Sequence, residues 1–166
     1  MSRSFRKLGL TCNVGAECEF YLFENDDRGR PTRIPIDFGG YFDVAPLDAG
    51  ENLRRDICLT MEQMGMSPQH SHHESGHGQN EIDCHYAGPL KTADNVMMFK
   101  QIVRAVAMRN GIHASSCPNP CRIRQAAACT STCPFTWMAA TCLRATLPRT
   151  ALQAALWPVC WPTAGS

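Results

Sequence analysis

The chain predicts an α+β fold: a curved, largely antiparallel sheet with helices on one face and carboxylates on the other. Three observations carry this. Residues 12–23 (CNVGAECEFYLF) alternate at a period of two. Two stretches near 49–64 and 92–110 repeat their apolar residues at helical spacing. Between them, Met66–Glu74 and Gln79–Tyr86 flank Gly76 and Gly78 and predict a hairpin.

In the first strand, Ala16, Cys18, Phe20 and Leu22 point one way, and Glu17, Glu19 and Tyr21 the other. Asn25–Pro35 is a charged stretch with Gly and Pro, expected to be a loop. Gly39-Gly40 permits a sharp turn before Tyr41. Asp48 is the expected cap of a helix from Ala49 to Met64, with Glu51 as its capping-box partner. Leu53, Ile57, Met61 and Met64 form its apolar stripe, and Gly65 ends it. Thr92 is the expected cap of the second helix, Val96, Phe99, Ile102, Val103 and Val106 its stripe, and Asn110-Gly111 its end. The methionines of both helices are expected to fill the core. Ile112–Cys117 predicts a last strand.

Composition bounds the function. The 166 residues amount to one domain, and a net charge of +1 implies no nucleic-acid partner. No run approaches ~20 apolar residues, so no membrane span is expected. The N-terminus does not read as a secretory signal, so a cytoplasmic location and ten reduced thiols are expected.

The chemistry concentrates in HHESGHGQNEID, His72–Asp83, and in the E-x-E of Glu17 and Glu19. One E-x-E alone is usually a solvated strand face. Paired with the hairpin that brings Glu74 near Glu81, it would aim four carboxylates into one cleft. Such a group needs cations to offset its repulsion, and hard divalent ions that also bind phosphate suit oxygen ligands. The histidines 70, 72, 73, 77 and 85 could bind a transition metal, but an oxygen site led by glutamate fits better.

At this point the sequence resembles bacterial type I glutamine synthetase. GAECEFYLF resembles that family's G-x-E-x-E-F strand, and GGYFDVAPLD its G-Y-F-x-x-x-P-x-D segment. SHHESGHGQNEID resembles H-H-E-x-x-x-G-Q-x-E, and KTADNVMMFK resembles T-A-D-N-x-x-x-F-K. Four motifs in order cover roughly residues 10–120. The resemblance implies an ATP-dependent ligation of ammonia to the side-chain carboxylate of glutamate through an acyl phosphate, in a large homo-oligomeric ring. It implies Mg2+ or Mn2+: Glu19, Glu74 and Glu81 would hold one ion, and Glu17 would contribute to another. Glu74 and Tyr41 would line the pocket that takes ammonium and strips its proton. Tyr86 lies where an aromatic could stack on adenine, although a packed sheet tyrosine reads equally well. A sister activity would join glutamate to a polyamine or another amine.

Departures accompany the resemblance. Gln69 stands where relatives often carry an acid, and Asn119 replaces the lysine of M-P-K-P. The family's small N-terminal domain and its G-S-G-M-H-x-H-x-S motif, expected after Pro120, are missing. The composition also breaks there. All fifteen Asp and Glu lie in residues 1–120, where ordinary usage would put about six in the last 46. The tail holds all three tryptophans and no steady period. Two domains are therefore expected: a partial catalytic domain over 1–120 and an out-of-frame tail over 121–166 without native fold.

Codons permit that reading. Shifting the frame within Gln125–Met138 requires Gly or Ser across Gln125-Ala126, His or Tyr across Cys129-Thr130, and Asp across Trp137-Met138. The string GSGMHVHMSLYMDG satisfies every junction. A one-nucleotide insertion or deletion between Cys121 and Gln125 would restore the missing motif. The rival reading is a zinc or disulfide module from the cysteines at 117, 121, 129, 133 and 142, but their gaps are irregular and the tail has no histidine. The alternative for function is a non-catalytic fragment, with apolar faces meant for a missing half and a tendency to aggregate.

Overall fold

A computed structural model describes residues 10–117 and the strand Leu143–Ala145. Strands β1 (Leu10–Cys12), β2 (Glu17–Asn25) and β3 (Pro31–Pro35) come first, then helix α1 (Glu51–Gln63). Strands β4 (Pro68–His73) and β5 (Gln79–Cys84) precede helix α2 (Pro89–Arg109), followed by β6 (Ile112–Ser115) and β7 (Leu143–Ala145). The main sheet runs β3-β2-β5-β4, with β6 also on β2, and every pairing is antiparallel. This is the α+β architecture expected.

β2 organises the sheet: its burial alternates from Glu17 to Leu22, and Phe23 is buried as well. Ala16, Cys18, Phe20 and Leu22 are buried, as are Ile82 of β5 and Ala114 of β6. Leu53, Ile57 and Met61 of α1 and Phe99, Ile102, Val103 and Val106 of α2 cover that face. Phe20 and Phe99 meet edge to face at 5.8 Å. Both helices thus lie on one side and leave the other to Glu17, Glu19 and Tyr21.

Several local expectations are corrected. Asn25–Pro35 is not all loop. Asp26 accepts N–H bonds from Arg28 (2.9 Å) and Arg30 (2.7 Å), which closes a turn and lets β3 pair with β2. As an outer strand with an exposed face, β3 carries no apolar alternation to betray it.

The helix starts differ too. Asp48 caps no helix: α1 starts after Gly50, and the Asp48 carboxylate turns inward to the Arg54 guanidinium. α2 starts three residues before Thr92, because Pro89 is preset for a first turn. The buried Thr92 hydroxyl instead donates to the Val14 carbonyl at 2.9 Å, tying α2 to the approach to β2. Of the helical methionines, Met61 is fully buried, but Met64, Met97 and Met108 are at least half exposed.

The β4–β5 hairpin positions the site. Glu74 N–H donates to the Gln79 carbonyl at 2.8 Å, and Gln79 N–H to the Gly76 carbonyl at 2.9 Å. Gly78 sits at φ 65°, and a Cβ there would meet the Leu22 carbonyl at 2.7 Å. Both the left-handed backbone and the contact with β2 require glycine. Gly78→Ala should therefore lower stability by about 1–3 kcal/mol, seen as an earlier urea midpoint. A midpoint equal to wild type would contradict the close approach.

The described part of the tail is small. β7 pairs with β1, Leu10 opposite Ala145. The rest of the region expected to be out of frame, and Asn119, lie outside the described residues.

Candidate functional site: a carboxylate face on β2 and β5

Register places the acids opposite one another. Glu17 pairs with Asp83, Glu19 with Glu81, and Tyr21 with Gln79. Cross-strand partners on one face stand about 4.5–5.5 Å apart at Cβ. Across the next pairing, His72 of β4 faces Glu81, and His70 faces Asp83. Gln69 falls at an irregularity between Pro68 and His70 and is exposed.

His72 ties the group together. Its Nδ1 lies 3.8 Å from Glu74 Oε1, and its Nε2 lies 3.7 Å from Glu81 Oε2. Phe42 stacks on its ring at 4.3 Å, and Tyr41 meets it edge-on at 5.8 Å. Ligand atoms of His72, Glu81 and Asp83 fall within 4.8 Å of one another. Glu74 is fixed by Ser75, whose backbone N–H donates to its Oε2 at 2.9 Å.

Electrostatics show what the face lacks. Burial first, then contact with the Asp83 and Glu74 carboxylates, pushes the Glu81 carboxyl up to about 9. Glu19 stays open to solvent on one side. Its carboxyl is also pushed upward, by the desolvation it does suffer and by the charges of Glu74, Glu17 and Asp83, against the Gln79 amide that donates to its Oε2 at 2.7 Å. Asp83 Oδ1 is buried and, among the described residues, meets no N–H donor; its neighbour is the Glu81 carboxyl. Carboxylates crowded this way fit a hard divalent cation bound through oxygen.

A second acidic group is different in kind. Asp37, Asp48 and His73 also cluster, all buried. Their atoms are satisfied. Asp37 accepts from His73 Nε2 at 2.9 Å and from the N–H groups of Ala49 and Gly78, each at 2.9 Å. Arg54 donates to Asp48 and Asn80, and its Nε reaches the Ser71 hydroxyl at 3.2 Å. This network locks the hairpin to α1 from the helix side of the sheet.

The expected site residues are thus partly united. Glu17, Glu19 and Glu81 share one face, Glu74 reaches it through His72, and Tyr41 borders it. Tyr86 lies beyond the end of β5, over Gly15 and 55% exposed, and is not a packed sheet residue. Sequence reasoning weighed His72 only as a transition-metal ligand, set aside in favour of the glutamates, and gave no role to Asp83. Both were visible at period two: Asp83 follows Glu81 on the same face, and His72 precedes Glu74 by two.

The fold and this face define an α+β domain with a carboxylate cluster on the open side of its sheet. The family model described as glutamine synthetase, catalytic domain, matches residues 1–129. The chain belongs to the glutamine synthetase family. It is 55% identical over 115 residues to a glutamine synthetase of Clostridium saccharobutylicum, covering 69% of this chain and 26% of that protein. It is 46% identical over 119 residues to one from Staphylococcus aureus strain MW2, covering 71% and 27%. The chain thus spans about a quarter of the length of the curated relatives it matches. Among solved structures, apo GmaS without ligand matches with a TM-score of 0.62 at 30% identity, over 73% of this chain and 29% of that one. The Plasmodium falciparum glutamine synthetase shares the fold, with a TM-score of 0.61 at 21% identity, over 72% and 29%. Among the described residues, no helix is long and apolar enough to cross a membrane.

Proposed function

We propose that residues 1–120 are part of a cytoplasmic glutamate–ammonia ligase, and that the carboxylate face of β2 and β5 is its divalent-cation site. The register pairs Glu17–Asp83 and Glu19–Glu81 carry this reading, since four acids facing each other are hard to explain without a cation. Glu19, Glu74 and Glu81 would hold one Mg2+ or Mn2+, and Glu17 would contribute to a second. Such an ion supplies positive charge that offsets phosphoryl oxygens. Glu74, next to His72 and held by Ser75, would attract ammonium and accept its proton, with Tyr41 beside it. Ammonia then displaces phosphate from the γ-glutamyl phosphate that ATP has formed, giving glutamine. Tyr86, solvent-open beyond β5, is free to stack on adenine. The whole protein would work as a homo-oligomeric ring.

We further propose that the 166-residue chain is inactive and that residues 121–166 are read out of frame. The coding DNA tests this. Sequencing it should reveal a second frame continuing as GSGMHVHMSLYMDG after Pro120; no such frame would refute the shift. The frame-restored protein should form glutamine from glutamate, ATP and ammonium, and should use ammonium faster than methylamine or a polyamine. Preference for the larger amine would move the reading to the sister activity. Glutamine made by the purified 166-residue chain would overturn its inactivity.

A further inference from the structure

We propose that Phe42 is a positioning residue of the cation site: its ring holds the His72 imidazole between Glu74 and Glu81, and so sets the spacing of those two carboxylates. The inference rests on the cation-site reading above and gives a role to a residue which that reading leaves idle.

A strained backbone points to Phe42. Gly40, Tyr41, Phe42 and Asp43 form a turn. The Asp43 N–H donates to the Gly40 carbonyl at 3.0 Å, and the Gly40 N–H donates to the Asp43 carboxylate at 2.8 Å. Phe42 takes the third position of this turn, at φ 59°. A positive φ there favours glycine, and a bulky residue adopts it only against a steric cost. Among the described residues, no other non-glycine has a positive φ. Burial does little to offset that cost, since Phe42 is 59% exposed. Strained residues persist where their surroundings hold them, and they cluster at functional sites.

What Phe42 meets is His72. The two rings stack, with centroids 4.3 Å apart and planes 13° from parallel. The Tyr41 ring packs edge-on against Phe42 at 4.7 Å. The Phe42 N–H donates to the His73 carbonyl at 3.0 Å, and His72 Nδ1 lies 3.2 Å from the same oxygen. Ring and backbone thus fix the imidazole together. In that plane it turns Nδ1 toward Glu74 and Nε2 toward Glu81, at 3.8 and 3.7 Å. The torsion that orients a histidine ring is broad and soft by itself. A flat neighbour on its face is what keeps both nitrogens aimed at the two acids.

Mn2+ binding to the full 166-residue chain, followed by electron paramagnetic resonance, tests this beside thermal unfolding in chelator. Phe42→Gly suits the turn and removes the ring. It should weaken Mn2+ binding about tenfold, the lower end for groups that orient metal ligands. Its metal-free midpoint should equal or exceed that of wild type. Phe42→Tyr keeps the stacked ring and should bind as wild type does. Because Phe42 acts through His72, Phe42→Gly should change little in a His72→Gln background. Phe38→Ala removes another exposed ring of the same loop, one that meets His77, and should leave binding unchanged. Unchanged affinity in Phe42→Gly, an equal loss in the His72→Gln background, or a lower metal-free midpoint overturns the assignment. If wild type itself binds no Mn2+, the cation-site reading fails, and this role with it. If wild type binds and Phe42→Gly binds alike, only the role of Phe42 is wrong.

Discussion

Asp37→Asn should destabilise the protein by about 3–5 kcal/mol, the scale for removing one charged member from a buried hydrogen-bonded network. Asp37 is a hub on no regular element. Its Oδ1 accepts from His73 Nε2 and Gly78 N–H, each at 2.9 Å, and from Gly39 N–H at 3.4 Å. Its Oδ2 accepts from Ala49 N–H at 2.9 Å. Donors surround both oxygens, so an amide must turn its NH2 toward one of them. His73 is fully buried, and its other nitrogen already meets the Glu74 carbonyl at 2.6 Å. Losing Asp37 therefore loosens the residue that carries Glu74, the turn at Gly78 and the start of α1 together. Chemical unfolding reads the effect. A change below about 1 kcal/mol, the worth of one ordinary hydrogen bond, would show that the hub is not what holds these segments.

Contacts with His73, Ala49 and Gly78 hold the Asp37 carboxyl below its ordinary 3.8, although burial, the largest single influence, pushes the other way. That contribution is present above the ordinary value and is lost as pH falls through the depressed one. It belongs to acid unfolding alone.

The second large effect lies in another pH window and has the opposite sign. Without a divalent ion, stability should fall as pH rises from about 5 to about 9. Burial, then the neighbouring Asp83 and Glu74 carboxylates, raise Glu81 from 4.5 to about 9. An acid raised on folding favours the folded state fully below its unfolded value, and that contribution disappears as pH climbs through the folded one. Mn2+ should reverse the trend, since it binds deprotonated carboxylates and gains more as protons leave. Glu81→Gln should flatten the metal-free slope and remove most of the Mn2+ stabilisation. Melting curves at several pH values, with chelator or with Mn2+, give all three outcomes. A metal-free midpoint that rises between pH 5 and 9 would mean that Glu81 is not the neutral acid this crowding requires.

How much of this was legible in the sequence depended on which force set each feature. β2 was readable because burial on one face imposes period two, and Phe20 and Leu22 obey it. The stripes of α1 and α2 were readable for the same reason. Their starts were not, because Asp48 and Thr92 are good caps in isolation. Each was recruited instead by a distant partner, Arg54 or the Val14 carbonyl, that local sequence does not reveal. β3 escaped because an exposed strand is defined by its turn and ladder rather than by apolar spacing. Within the site, the glutamates were found through motifs; period two already sets Asp83 beside Glu81 and His72 beside Glu74, but what each of them faces follows only from the register of β5 against β2 and β4. Register is a long-range property, fixed here by a turn at Gly78 that itself leans on β2.

That dependence has a consequence in time. β2 and its outer neighbour β3 are made early, but the other partners of β2 are not: β5 begins at Gln79, and β6 ends at Ser115. At roughly 5–20 residues per second, a ribosome would need on the order of 5–20 s between finishing β2 and finishing β6. During that interval the strand with the most continuous apolar face waits half-partnered, and its two glutamates have no opposing register to meet. The order of synthesis thus makes β2 the segment most in need of protection while the chain is still growing, whatever follows residue 117.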